Sequence, residues 1–166
     1  LERASRIIFL NKTCYNGLFR VNSQGQFNVP YGNYKNPTIV DSIIIKAISN
    51  YLNQNTITIS NLDFEEAVKE SKKGDFIYFD PPYDPISDTS SFTGYNLDKF
   101  GKEEQCRLKH VYDKLTEKGC KVMLSNSATE FIRNLYSTYK IITIPASRNI
   151  NSVATGRGRI DELLIL

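Results

Sequence analysis

The segment Asp80-Pro81-Pro82-Tyr83 combines residue types that can act on an amine, and it directly follows the apolar run Phe76–Phe79. An exocyclic amine is a poor nucleophile because its lone pair is delocalised into the attached ring. The Asp80 carboxylate and the Pro81 carbonyl oxygen, each accepting one N–H, would localise that lone pair and stabilise the positive charge that develops during attack. The two prolines restrict the turn to an extended geometry, and Tyr83 can stack on a planar ring. The segment therefore predicts a site for chemistry on a ring-bound amine.

A structural interpretation of the same four residues stays open, namely a proline-rich turn that ends a strand, with Asp80 as a turn former. The position of the segment favours catalysis. Phe76–Phe79 is typical of a buried parallel strand, and active sites of open α/β sheets lie at the carboxyl ends of the strands. We therefore expect a catalytic loop to begin at Asp80.

The elements that must position this loop alternate between strand and helix from residue 41 onwards. Caps and apolar spacing predict helices at Asp41 to about Asn53, Asp63 to about Lys72, Lys102–Lys118 and Thr129–Tyr136. β-Branched and apolar runs predict strands at Thr56–Ser60, Phe76–Phe79, Lys121–Leu124, Tyr139–Pro145 and Glu162–Leu166. Residues 81–100 are expected to form a long loop. The alternation predicts an open, mostly parallel α/β sheet.

Residues 1–40 differ from the rest because they are rich in Asn, Gly, Tyr and Pro and contain few predicted regular elements. Helical apolar spacing runs through Ala4, Ile7, Ile8 and Leu10 without a preceding cap, and residues 22–26 predict a turn. Polar and aromatic loops of this kind usually carry binding function when a scaffold holds them. Since the chain begins with Leu, inside the helical pattern, we interpret the sequence as a fragment of a longer protein.

Composition and charge limit the possible functions without identifying one. The 166 residues suffice for a domain with a core, and no run approaches the ~20 apolar residues that span a bilayer. A net charge of +3 is weak evidence for a nucleic-acid partner. The three cysteines have no metal-ligand spacing, so we expect reduced thiols in a cytoplasmic protein without a metal site. His110 is expected to be structural or solvated.

Several blocks of the sequence together resemble one family. Phe79-Asp80-Pro81-Pro82-Tyr83, continued by residues 84–87 and 91–95, closely resembles the D12 class of adenine-N6 DNA methyltransferases, which includes the GATC-modifying Dam enzymes. Residues 11–20 and 25–32 look like the target-recognition hairpin of that family. Further blocks that fit its pattern, in the same order, are residues 74–76, 124–127, 148–152 and 157–158.

The resemblance implies transfer of a methyl group from S-adenosylmethionine to the N6 of an adenine flipped out of double-stranded DNA, in a GATC-like site. It implies a partial Rossmann-like methyltransferase sheet in residues 54–166 and an inserted target-recognition region in residues 1–53. By resemblance, Asp80 and the Pro81 carbonyl hold the amine, and Tyr83 stacks on the base. The catalytic set is thus Asp80, Pro81, Pro82 and Tyr83.

The recognition region supplies the DNA contacts that the resemblance implies. Tyr15 matches a position where an aromatic residue wedges into the duplex, and Leu18 and Arg20 match positions that read base edges. Lys35 is expected to touch phosphate, whereas Asn33 stands where relatives often carry a basic residue. The whole predicted set is Tyr15, Asn16, Leu18, Arg20, Pro30, Lys35, Arg148, Asn151 and Arg157. Structural or solvated roles stay open for Tyr15, Lys35, Arg148 and Arg157.

The methyl donor is expected to contact Asp63, Phe64 and Asp80, although helix capping explains Asp63 equally well. The glycine-rich turn and acidic residue with which relatives hold most of the donor are not found, because every glycine before Gly74 lies in the recognition region. We therefore expect weak donor binding, and a catalytically silent DNA-binding fragment of such an enzyme is the alternative function. A methyltransferase for another planar amide, such as a protein glutamine, is disfavoured because those relatives carry Asn in place of Asp80.

Overall fold

The structure is a computed structural model that describes residues 1–54, 56–86, 100–147 and 159–166. The described chain forms two compact units: the first comprises residues 1–61, and the second contains the described residues from Leu62 onwards. The predicted division into a recognition region, residues 1–53, and a catalytic region, residues 54–166, is a functional one and stays a prediction.

Two helices of the first unit follow directly from local sequence signals. Helix α1 (Glu2–Thr13) contains the helical apolar spacing, and helix α2 (Ser42–Leu52) begins after its predicted cap. The Asp41 Oδ1 atom accepts the backbone N–H groups of Ile43 and Ile44 at 3.2 and 3.0 Å. Because these N–H groups have no partner inside the helix, the cap fixes where α2 starts, and the predicted bounds are confirmed to within one residue.

The segment between these helices is held by backbone pairing and one close approach. The predicted turn at residues 22–26 is confirmed, since Asn22 Oδ1 accepts the N–H groups of Gln24 and Gln26. Gly32 donates its N–H to the Thr13 carbonyl at 2.7 Å. A Cβ atom on Gly32 would lie 2.8 Å from the Cys14 carbonyl oxygen, so a larger residue would force the two chain segments apart.

The described residues of the second unit form three helices, two of which begin after a residue whose side chain caps them. They are α3 (Phe64–Ala67), α4 (Lys102–Glu117) and α5 (Glu130–Leu135). Asp63 caps α3 through the Glu65 N–H, and Thr129 caps α5 through the Ile132 N–H. The prediction that α3 reaches Lys72 is wrong, because tight three-residue turns replace the helix after Ala67.

Four strands form one sheet in the order β1-β2-β4-β3. Their bounds are β1 (Phe76–Phe79), β2 (Lys121–Ser127), β3 (Ile141–Ser147) and β4 (Arg159–Ile165). Strands β1 and β2 are parallel, whereas β4 pairs antiparallel with both β2 and β3. The mixed sheet confirms the predicted α/β class, but a mostly parallel arrangement is wrong for the described strands.

One predicted strand is wrong, and another is confirmed in its bounds but not in its burial. Residues 56–60 begin in a turn and pair with no strand in the described part of the chain, and the Ile59 side chain is exposed. Strand β1 forms as predicted but is not buried along its length, since Phe76 and Tyr78 are 62% and 50% exposed. β-Branched and apolar runs report a preference for extended backbone, which by itself does not supply a hydrogen-bonding partner or a covering layer.

The core lies between helix α4 and the sheet. Leu108, Val111, Tyr112 and Leu115 of α4 are buried, because the spacing of these residues places them on one face of the helix. They belong to one cluster with apolar side chains of β2, β4 and α5, namely Val122, Leu124, Leu163, Ile165 and Ile132. The Tyr112 hydroxyl donates to the Val122 carbonyl at 3.0 Å, which links the helix to β2.

Three features of the described residues bear on other kinds of function. No described helix is long and apolar enough to cross a membrane. No group of three or more His, Cys, Asp or Glu side chains in the described ranges is arranged to hold a metal ion. The three cysteines are free thiols, of which Cys14 and Cys120 are buried and Cys106 is exposed.

Candidate functional site

The carboxyl ends of β1 and β2 bring the predicted catalytic aspartate beside a serine. The parallel register pairs Phe79 with Leu124, so the next residues, Asp80 and Ser125, are neighbours. The Ser125 hydroxyl donates to Asp80 Oδ1 at 3.0 Å, and the Tyr78 hydroxyl donates to Ser125 Oγ at 2.8 Å. Ser125 is buried, whereas Asp80 is exposed. The Tyr78 hydroxyl thus bonds to the Ser125 hydroxyl, which in turn fixes the orientation of the accessible Asp80 carboxylate.

This orientation leaves acceptors available at the strand ends. Among the described residues, no group donates to Asp80 Oδ2 or to the carbonyl oxygen of Pro81. An ionised carboxylate has about four lone-pair sites, so Asp80 can accept further N–H donors while it keeps its bond to Ser125. The two acceptors that the sequence predicts for an amine are thus free within the described structure.

Tyr83 is half-buried close to the same serine. Burial raises the pKa of its phenol, a hydrogen bond with Ser125 lowers it, and the carboxylates of Glu162 and Asp80 raise it further, with a net rise. The phenol therefore stays neutral at physiological pH, as a side chain that stacks on an uncharged base should.

The residue after Tyr83 is anchored below the surface. Asp84 is 7% exposed, and its N–H donates to Asn126 Oδ1 at 2.9 Å. Its carbonyl oxygen accepts the Ser127 hydroxyl at 2.5 Å, and its carboxylate accepts the Thr129 hydroxyl at 2.6 Å. Every polar group of Asp84 therefore has a partner, which fixes the loop immediately beyond the candidate catalytic residues.

Asp63 and Phe64, predicted to contact the methyl donor, form a tight cluster with Arg107 of α4. Arg107 Nη1 and Nη2 donate to Asp63 Oδ1 and Oδ2 at 2.9 and 2.8 Å, and the guanidinium lies 3.9 Å from the Phe64 ring centroid. The hydrogen bonds from Arg107 and from the Glu65 N–H lower the pKa of Asp63 to about 2. Both the capping role and a rigid aromatic surface are thus present at this turn.

The described residues supply part of what a donor such as S-adenosylmethionine requires. Phe64 offers an aromatic ring, and Asp80 offers an exposed carboxylate that would complement a positively charged sulfonium. Two of the four lone-pair sites of Asp63 face Arg107, and a third faces the Glu65 N–H. These residues fit contacts to the donor, and the roles of Asp63, Phe64 and Asp80 stay predictions.

In the first unit, Tyr15 and Asn16 are presented by a short 3₁₀ turn, Tyr15–Gly17. The Tyr15 N–H donates to the Pro30 carbonyl at 2.8 Å, and the side chain of Tyr15 is 46% exposed. Asn16 has a left-handed backbone, φ 53°, and its N–H donates to the Tyr34 hydroxyl at 3.0 Å. Predicted contact residues Tyr15, Asn16 and Pro30 are therefore brought together, with Tyr15 projecting outwards.

Arg20 is held by a neighbour that sequence reasoning does not single out. Its Nε and Nη2 atoms donate to the side-chain and backbone oxygens of Asn28, each at 2.9 Å. Arg20 and Lys35 are exposed, and Leu18 is half-buried. A guanidinium has five N–H donors, so the edge formed by Nη1 and Nη2 keeps donors for another partner.

The remaining predicted DNA contacts, Arg148, Asn151 and Arg157, lie outside the described residues. Functional candidates that the sequence analysis does not identify individually are Asn28, Tyr34, Gln105 and Arg107. Asn28 lies within the matching block 25–32 without a role of its own there, whereas the other three lie outside the matching blocks and bond to partners distant in sequence. Ser125 and Asn126 do lie within the block 124–127, whose resemblance signals a site without giving a role for each residue.

Most of the chain matches a known protein family. Residues 1–150 match the family described as D12 class N6 adenine-specific DNA methyltransferase. Since this match covers most of the chain, the protein belongs to that family. The mixed α/β sheet is consistent with a methyltransferase fold.

Named relatives agree with this assignment. The Type II methyltransferase M1.LlaDCHI of Lactococcus lactis subsp. cremoris is 50% identical over 165 residues, which are 99% of this chain and 58% of the relative. The Type II methyltransferase M.MjaIII of Methanocaldococcus jannaschii is 46% identical over 168 residues, 100% of this chain and 57% of the relative. The DNA adenine methylase of Escherichia coli (strain K12) is 33% identical over 165 residues, which are 99% of this chain and 58% of the relative. The chain thus spans less than two thirds of their length.

The pairing of Asp63 with Arg107 predicts a pH-dependent stability. Because folding lowers the pKa of Asp63 to about 2, this carboxylate stabilises the fold above its unfolded pKa of about 3.9, and the contribution is lost as the pH falls towards 2. Asp63→Asn should therefore lower the urea midpoint at neutral pH, with the difference from wild type shrinking between about pH 4 and pH 2. Urea titrations followed by circular dichroism measure this difference.

Glu66→Gln is the matched control, since the one ion pair of Glu66 within the described residues is an exposed pair with Lys69. Its midpoint should follow that of wild type across the same pH range. A constant offset between Asp63→Asn and wild type at all pH values would contradict the proposed ionic origin.

Proposed function

We propose that this chain contains the catalytic and target-reading residues of a site-specific DNA methyltransferase that acts on adenine N6 in double-stranded DNA. The observation that carries the proposal is the carboxylate of Asp80, oriented by Ser125 at the ends of two parallel strands, in a chain of the D12 family. S-adenosylmethionine, when bound, supplies the electrophilic methyl group.

The chemistry follows from the acceptors at the strand ends. Asp80 Oδ2 and the Pro81 carbonyl each accept one N–H of the adenine amine, which localises the nitrogen lone pair and stabilises the positive charge that forms there. The adenine must leave the base stack to reach these atoms, and the neutral Tyr83 ring provides a surface for it to stack on. Bond formation at the adenine nitrogen would break the bond between the methyl group and the donor's sulfonium sulfur, which would keep the electron pair and become neutral. The proton that the amine loses, held in a hydrogen bond by Asp80, would be released to solvent.

DNA reading is proposed for the first unit. Arg20 keeps a pair of donors that can reach guanine O6 and N7, and Leu18 can contact a thymine methyl group, which fits a GATC-like site. Tyr15 would wedge between bases near the flipped adenine, with Asn16 and Pro30 beside it, and Lys35 would contact phosphate. Arg148, Asn151 and Arg157 are proposed to add contacts from the second unit. The proposed substrate places the protein in the cytoplasm.

Removal of the Asp80 carboxylate should abolish methyl transfer. In the complete product of the gene that encodes these residues, we expect Asp80→Ala to lower kcat by about 100- to 1000-fold, the loss typical of one oriented polar group at a reacting centre. Asp80→Asn should be intermediate, because an amide oxygen still accepts one N–H but carries no charge. Transfer of labelled methyl groups to a GATC duplex measures both.

Asp75→Asn provides the control, because Asp75 precedes β1 at the end opposite Asp80, and its side chain accepts the Lys72 N–H alone among the described donors. This variant should keep wild-type kcat. Full activity of Asp80→Ala would overturn the catalytic role of the strand-end carboxylate.

The chain's own share of the donor site can be measured directly. Since the chain spans 58% of the length of its relatives, a catalytically silent DNA-binding fragment is the second candidate function. Calorimetric titration of S-adenosylmethionine into the 166-residue protein, with and without a GATC duplex, separates the two. We expect weak or no donor binding together with salt-sensitive duplex binding, whereas micromolar donor affinity would rule out the silent fragment.

Arg20 should determine sequence preference, and Lys35 should not. Arg20→Ala should weaken binding to the specific duplex by about 1–3 kcal/mol, the usual contribution of a bidentate base contact, with little effect on unrelated duplexes. Asn28→Ala should produce a smaller change in the same direction, because it frees the guanidinium to rotate.

Lys35→Ala is the comparison variant for this experiment. It should weaken binding to all duplexes alike. The slope of log affinity against log salt concentration should fall by about one, because one fewer counterion is released on binding. Fluorescence anisotropy with duplexes differing only at the guanine distinguishes these patterns. Equal loss of affinity for both duplexes in Arg20→Ala would show that Arg20 contacts the phosphate backbone instead.

A further inference from the structure

Two buried side-chain amides connect the loop after β1 to helix α4 and strand β2. Gln105 of α4 is 1% exposed, and its Nε2 atom donates to the Pro82 carbonyl at 2.9 Å. Asn126 of β2 is 0% exposed, and its Nδ2 atom donates to Gln105 Oε1 at 3.1 Å. Asn126 Oδ1 in turn accepts the N–H of Asp84 at 2.9 Å. The chain of bonds therefore leaves the loop at Pro82 and returns to it at Asp84.

The orientation of each side-chain amide in this series of hydrogen bonds is fixed by the backbone groups at the two ends of the series. The backbone N–H groups of Asp84 and Ser127 can only donate, so the oxygen of Asn126 must face them. Its NH₂ group then faces the oxygen of Gln105, and the NH₂ group of Gln105 faces the Pro82 carbonyl, which can only accept. Reversing either amide would place two acceptors or two donors in contact, so the arrangement has a single orientation.

Tyr83 lies between the two anchored positions. The clamp, defined as the Gln105 and Asn126 side chains, holds the carbonyl before Tyr83 and the N–H after it. It also occupies the Pro82 carbonyl, whereas the neighbouring Pro81 carbonyl has no donor among the described residues. Both predicted functions of the turn, stacking by Tyr83 and acceptance by Pro81, depend on its backbone conformation.

We propose that Gln105 and Asn126 are positioning residues for methyl transfer, which hold Pro81 and Tyr83 in the geometry that receives the adenine. This inference rests on the proposed adenine chemistry at Asp80. The side chains touch neither of the predicted amine acceptors, so they act through the backbone of the turn. Because both are buried, no solvent is available to replace a bond that is lost.

An isosteric change tests the donor function of Gln105. In Gln105→Glu, the ionised carboxylate cannot donate to the Pro82 carbonyl and repels it. When protonated, the same group donates O–H to that carbonyl and still accepts from Asn126, which restores the original pattern. We therefore expect kcat of the complete gene product to fall about 100-fold near pH 8, with an unchanged KM for the donor, and to recover towards wild type as the pH falls below the raised pKa of the buried carboxyl.

Two further variants separate positioning from general destabilisation. Gln105→Met removes the donor at every pH, so its loss of kcat should not recover in acid. Tyr112→Phe removes a buried hydrogen bond from the same helix to Val122, away from the loop, and should lower the melting temperature but leave kcat unchanged. The positioning role is overturned if Gln105→Met keeps kcat within twofold of wild type, or if the loss of kcat in Gln105→Glu is the same at all pH values.

A readout without catalysis distinguishes failure of this inference from failure of the proposed function. If the wild-type gene product does not methylate adenine, the proposed function fails. Hydrogen exchange of the Asp84 amide in the 166-residue chain then reports on the clamp alone. Protection in wild type and at least about tenfold faster exchange in Gln105→Glu would support the clamp, whereas equal rates would overturn it.

Discussion

The parallel pairing of β1 with β2 is the interaction on which the candidate site depends. Parallel strands end at the same edge of a sheet, so the register that pairs Phe79 with Leu124 brings Asp80 next to Ser125. A shift of one residue would turn the Ser125 side chain to the other face of the sheet and leave Asp80 without its hydroxyl donor. The backbone ladder therefore determines the orientation of a single carboxylate.

Helix α4 supports two parts of the site with residues two positions apart. Gln105 bonds to the turn that contains Tyr83, and Arg107 pairs with Asp63 and covers the Phe64 ring. The next apolar residues, Leu108 and Val111, are buried in the core. Because the helix is fixed by that core, the turn proposed to receive the base and the turn proposed to contact the donor share one rigid support. Packing of the core would thereby contribute to the proposed catalytic geometry.

The sequence predicts those features that arise from neighbouring residues. The Asp41 cap and the turn at residues 22–26 involve partners within four positions, and both are confirmed. The antiparallel direction of β4 and the bond between Gln105 and Pro82, which are 23 positions apart, depend on tertiary structure and have no local signal. The motif beginning at Asp80 identifies the loop, but periodicity cannot show which distant groups hold it.

Both units contain charged groups held by bonds that leave part of each group available. Asn28 takes two donors of Arg20, and Ser125 takes one oxygen of Asp80, while each retains sites for another partner. Fixing a side chain before binding removes part of the entropic cost of ordering it in the complex. A free arginine would lose more of its rotamer entropy on meeting a base, and a rotating carboxylate would accept an amine in several geometries. We therefore expect the supporting residues, Asn28 and Ser125, to matter for the proposed function as much as the groups that they orient.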